Sequence, residues 1–151
     1  RFLEGAAATA IAGTKAFALD PARIYINLKG KYPQGSIDVS GRRQVLDELE
    51  GLFASFSIEG KKVIKHILRK DAIYKGPYSQ NAPDMVLIGQ KGFNLRGSMA
   101  AEEITGKGLF TGKHTYDDAF LWTNADEGAG LVGADPSVTE AGKLIKSLTG
   151  Q

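Results

Sequence analysis

The chain of 151 residues has two histidines and no cysteine. Nucleophilic or metal chemistry must therefore use imidazole, carboxylate, hydroxyl or amide groups, and thiolate sites and disulfides are excluded. His114 lies in Thr111-Gly112-Lys113-His114-Thr115-Tyr116-Asp117-Asp118, a glycine-led loop directly ahead of an apolar segment. A loop next to a rigid element keeps an imidazole accessible, and neutral imidazole binds zinc and similar ions. Asp117 or Asp118 could orient the ring by accepting its second N–H. On spacing alone, an ordinary surface histidine remains the commoner outcome. His66 alternates with Ile64 and Leu68, so a regular strand would put it on their face, packed and hydrogen-bonded rather than functional.

Lys61, Lys62, Lys65, Arg69 and Lys70 could meet phosphates, but cations spread over both faces of a strand more often form a solvated edge. Gly128-Ala129-Gly130-Leu131-Val132-Gly133 matches a dinucleotide-binding pattern. The helix that should start within those glycines is delayed by Asp135-Pro136, and the chain ends before an acidic ribose partner about 20 residues on. A loop connection fits better. A formal charge of +2 gives no reason to expect a nucleic acid polymer or an anionic membrane as partner. No apolar run approaches the roughly 18 to 20 residues of a membrane-spanning helix.

These residues need a scaffold, and the apolar spacing supplies one. Arg23 to Leu28 alternates as a strand, with Ile24, Ile26 and Leu28 on one face. After Gly and Pro punctuation, Ser40 precedes Val45, Leu46, Leu49, Leu52, Phe53 and Phe56, which predicts a helix with one apolar face. Lys61 to Lys70 reads as an edge strand, Asp71 to Tyr78 as a helical turn leaving through Gly-Pro, and Met85 to Ile88 as a central strand buried on both faces. Gly89 to Gly112 reads as surface loop with a weak strand signal at Phe93 to Arg96. Ala119 to Thr123 is a further strand candidate, and because His114 lies before it, a ligand role for His114 at the carboxyl ends of the strands requires it to run antiparallel to its neighbours. Ser137 and Glu140 have capping-box spacing ahead of a last helix that ends at Gly150. Ala16-Phe17-Ala18 has the form of a cleavage site, a role given little weight because the stretch before it is only alanine-rich. One α/β domain over residues 1–151 is expected, with upstream sequence beyond Arg1.

Taken in order, three segments resemble the C-terminal part of the alkaline phosphatase superfamily, closest to its phosphodiesterase and nucleotide pyrophosphatase branch. They are Ile24 to Lys31 with Pro33 and Gly35, Ile73 to Tyr78 with Ala82-Pro83-Asp84, and Gly112-Lys113-His114-Thr115. The resemblance implies a layered α/β/α fold around a mixed sheet. It also implies hydrolysis of a small phosphate ester at two divalent ions, zinc or manganese, with a Thr or Ser nucleophile. His114 matches the last histidine ligand of the family, and Asn27, Lys29 and Lys31 would line the substrate side. In a two-metal site the ions bind the attacking and leaving oxygens.

The family's nucleophile and its earlier Asp and His ligand segments have no counterpart in this chain, and Ala141-Gly142-Lys143 stands where the family has Ala-Pro-Thr. The expected role is therefore one part of a larger hydrolase, inactive by itself. The alternative is a non-catalytic α/β interaction module, with an exposed sheet edge that would allow a homodimer.

Overall fold

Strands β1 (Ala16–Asp20) and β2 (Arg23–Ile26) form an antiparallel hairpin whose turn places Ala22 at a φ of 70°. The computed structural model describes residues 13–96, 103–106, 120–122 and 137–150. The chain divides into two compact units, Arg1–Thr111 and Gly112–Gln151.

In the first unit, β2 ends at Ile26, two residues before the alternation does, because the Asn27 carbonyl turns to accept the amides of Ser36 (2.8 Å) and Ile37 (3.0 Å). A 3₁₀ turn at Val39–Gly41 then leads into helix α1 (Arg42–Ser55). Val45 and Leu46 are its buried residues and Leu49 and Phe53 pack beside them, whereas Leu52, expected on that face, is exposed. Strands β3 (Ser57–Ile58) and β4 (Lys61–Lys62) make a short hairpin. Glu59 and Gly60 between them both have positive φ, as a two-residue turn of the primed type requires. Strand β5 (Ile64–Arg69), a single turn of helix α2 (Lys70–Ile73) and strand β6 (Met85–Gly89) complete the unit.

The sheet order is β1-β2-β6-β5, and every pairing is antiparallel. This is a mixed α/β arrangement with a small antiparallel sheet; the mixed sheet expected from the sequence is absent among the described residues. β6 is central and β5 is an edge, as the sequence predicts. The core face carries Ile24, Ile26, Met85, Leu87 and Ile67, against which Val45 and Leu46 of α1 pack together with Val63 and Ile64. Each such side chain contributes about 1.5 to 3 kcal/mol when fully buried. β6 is not buried evenly: Met85 and Leu87 are buried, but Val86 and Ile88 on the other face are only half-buried.

His66 departs from expectation. The ladder with β6 is irregular between Ile64 and His66, so Ile67 rather than His66 follows Ile64 onto the core face, and His66 is exposed. Such an irregularity inserts an extra residue and reverses the alternation beyond it. Phe93 to Arg96 forms no strand, although Phe93 and Leu95 pack on the core.

In the second unit, helix α3 (Val138–Thr149) begins as its sequence predicts. The Ser137 amide donates to the Glu140 carboxylate at 2.7 Å, the Glu140 amide donates back to the Ser137 hydroxyl at 3.4 Å, and Gly150 ends the helix at a φ of 69°. Phe120, Leu121 and Trp122, expected within a strand, have no regular structure. Among the described residues no helix is long and apolar enough to cross a membrane.

Candidate functional site

The first unit buries two polar side chains among the described residues, Asp84 and Asn27, and both belong to the segments that carry the resemblance. Pro83 and Asp84 stand at the entrance to β6, where the chain must pass from surface loop to sheet centre. The Asp84 amide donates to the Ile24 carbonyl (2.8 Å), and one carboxylate oxygen accepts the Ile26 amide (2.8 Å). The other oxygen accepts Nε of Arg42 at 2.9 Å and lies 2.8 Å from its Nη2 and 3.2 Å from Lys70 Nζ. Arg42 opens α1 and Lys70 opens α2. One carboxylate thus joins the first residues of two helices to the end of β2.

Burial by itself would raise the Asp84 carboxyl. The Ile26 amide, the Arg42 guanidinium and the Lys70 ammonium together outweigh it and hold the group below the ordinary carboxylate range. Arg42 also faces Asp71 across a loose 3.9 Å.

Lys31 reaches the same region from the loop after β2. Its Nζ donates to the Gln80 carbonyl at 2.8 Å and sits 5.4 Å from the Tyr32 ring centre. Burial, then repulsion from Lys70, lowers the Lys31 ammonium from its usual value. Tyr32 meets Phe17 edge to face at 4.9 Å, and Phe17 stacks on Tyr25 at 5.7 Å, so an aromatic group continues from this cluster across the outer face of β1 and β2.

The three substrate-side candidates therefore separate. Lys31 joins a charged cluster. Lys29 is exposed and pairs with Asp38 at 2.8 Å. Asn27 is 3% exposed, and its amide donates to the carbonyls of Thr14 (2.9 Å) and Gln34 (2.8 Å). With both donors used in this way, Asn27 clamps the loop between Lys29 and Gly35 onto the chain before β1. Gly35 serves the same closure, since a Cβ there would sit 2.2 Å from the Leu28 carbonyl oxygen. His114, Asp117 and Asp118 lie outside the described residues, as does the glycine pattern at 128–133. Among the described residues no group of three or more His, Cys, Asp or Glu side chains could hold a metal ion.

Arg42 was not singled out from the sequence, and Lys70 entered only within a basic run read as a solvated edge. The only signal available was an acidic residue placed directly before an uninterrupted apolar strand, because a carboxylate at such an entrance needs cationic or amide partners. The basic run divides likewise: Lys61, Lys62 and Lys65 are exposed, whereas Arg69 reaches Asp47 at 2.6 Å and also pairs with Glu50, and Lys70 meets Asp84. Comparison with known proteins finds no matching family model, no matching curated protein and no matching solved structure.

Proposed function

We propose that this chain is the C-terminal part of a metal-dependent phosphate-ester hydrolase, on the phosphodiesterase and nucleotide pyrophosphatase side of the alkaline phosphatase superfamily. The observation that supports this reading is convergence. Ile24 to Lys31 and Ala82 to Asp84 are more than 50 residues apart, yet Asp84 bonds to both Ile24 and Ile26, and Lys31 bonds to Gln80 between the two halves of the second segment. Residues that resemble a family in scattered segments thus meet in one assembly.

The described residues do not make a metal centre, so none of them is assigned a metal ion and no catalytic step is derived through one. In this reading His114 holds one of two divalent ions, zinc or manganese, and Asp117 or Asp118 orients its ring. The remaining ligands and the nucleophile come from elsewhere in the intact enzyme. The layered α/β/α arrangement belongs to the same proposal. In a longer protein that carries this segment, His114→Ala should lower kcat/KM for an aryl phosphate or phosphodiester by at least about 100-fold with zinc or manganese present. Activity within a few-fold of the parent would remove His114 from the site.

A second reading, a non-catalytic interaction module, is favoured by the outer face of the sheet, where Phe17, Tyr25, Leu68, Val86 and Ile88 are half-buried side by side. Light scattering that finds the chain monomeric at high concentration would count against a homodimer on this face or on the β5 edge.

A further inference from the structure

The two edges of the sheet differ in chemistry. Among the described residues β1 and β5 each pair on one side only, β1 with β2 and β5 with β6. The open side of such a strand presents backbone amides and carbonyls outward. On β5 their places can be assigned. The Lys70 amide donates to the Asp84 carbonyl at 3.0 Å, and bonded and non-bonded pairs alternate along an antiparallel ladder. The Leu68 and Val86 pair is therefore bonded, whereas the backbone groups of Ile67 and Arg69 face away from β6. This edge is also basic. Lys65 and His66 within β5, and Lys61 and Lys62 just before it, are all exposed, and between Ser57 and Lys70 the sole acidic residue is Glu59. Lys61 and Lys62 have no carboxylate partner among the described residues, while Arg69 is already paired with Asp47 and Glu50.

We propose that the β5 edge binds an extended acidic peptide, which adds as a further strand beside Ile67 and Arg69. Main-chain bonds supply the affinity in such an addition, and the flanking cations select the partner. The same features disfavour other occupants. A second copy paired through β5 would set one basic run against another, and like charges across a strand pair are destabilising. A nucleic acid strand would meet the cations but lacks the alternating amides and carbonyls that the edge can bond. The β1 edge offers less, because its ladder is irregular between Ala18 and Asp20 and its acidic residue, Asp20, is bonded to Arg23, whereas β5 is regular from His66 to Arg69. Lysines on an edge keep strands of like sign apart, and they favour a strand of opposite sign for the same reason.

The proposal rests on the interaction-module reading, to which it adds one edge and one partner, and it is independent of His114. The test is amide hydrogen exchange of the full chain, followed by NMR at constant ionic strength, with a blocked peptide of alternating Glu and Val as the probe. In the free chain the Ile67 and Arg69 amides should exchange faster than the Leu68 amide. Saturating peptide should slow the first two about tenfold or more and leave Leu68 unchanged. Lys62→Gln should weaken peptide binding about threefold, whereas Lys15→Gln, which removes an equal charge beside β1, should leave it unchanged. The same peptide methylated on alternate amide nitrogens keeps its charge and should not bind. Equal binding by the methylated peptide, or equal weakening by both substitutions, would reduce the effect to general charge attraction and overturn the proposal. Ile67 and Arg69 amides already protected in the free chain would overturn it too, because the edge would then be covered by the chain itself or by a second copy. A chain that dimerises through the outer face of the sheet and ignores the peptide would keep the interaction-module reading and overturn this one.

Discussion

Asp84 and Lys29 both belong to segments that resemble one enzyme family, and both form ion pairs, yet they sit in opposite physical settings. Asp84 is 1% exposed and satisfies an arginine, a lysine and a backbone amide, whereas Lys29 holds one partner, Asp38, in open solvent. Water competes for the second pair and not for the first, so the same charge chemistry fixes three elements in one place and decorates the surface in the other. Asn27 falls between them, buried but uncharged. A motif residue can therefore earn its place through the fold as readily as through a substrate.

The contrast can be broken by substitution. Asp84→Asn should have the largest effect, about 3 to 5 kcal/mol in urea unfolding, because Arg42 and Lys70 would remain close together without their anion. It should also change the response to acid. The folded Asp84 carboxyl lies below its unfolded value of about 3.9, so below that pH the unfolded chain binds more protons than the folded one. The stability from Asp84 is then present above about pH 4 and lost as pH falls further. The variant should unfold over a visibly shallower acid slope. Asn27→Ala should cost about 1 to 3 kcal/mol by removing the side-chain donor to the Gln34 carbonyl and leaving the Thr14 carbonyl to the Ser36 hydroxyl, with faster hydrogen exchange in the loop after β2 as the local readout. Lys29→Ala should change stability by less than about 0.5 kcal/mol in the same assay. A loss at Lys29 equal to that at Asn27 would mean that burial is not what separates these residues.

Local pattern made several elements legible in the sequence. The α1 apolar spacing, the Ser137 and Glu140 box and the uninterrupted Met85 to Ile88 run all report short-range physics, and each appears where expected. β1 was missed because alanines flanking Phe17 carry little strand signal, and its partner β2 supplies the pairing that makes it a strand. The His66 error has a readable cause. The apolar positions Val63, Ile64, Ile67 and Leu68 skip two residues, Lys65 and His66, which a regular alternation does not do. That gap is the mark of the irregularity in β5. The partners of Asp84 were not legible, since Arg42 lies 42 residues away and only the folded chain brings it near. His114, the strongest functional candidate in the sequence, lies outside the described residues.

Whether Asp84 truly ties these segments together is tested most directly by a double-mutant cycle between Asp84→Asn and Arg42→Gln, read by equilibrium unfolding. If the buried pair organises the unit, the two substitutions should couple by about 2 kcal/mol or more, the double variant losing much less than the sum of the single losses. Losses that add to within about 0.5 kcal/mol would show that the two groups act independently, and would contradict the role of Asp84 as the anchor of the cluster.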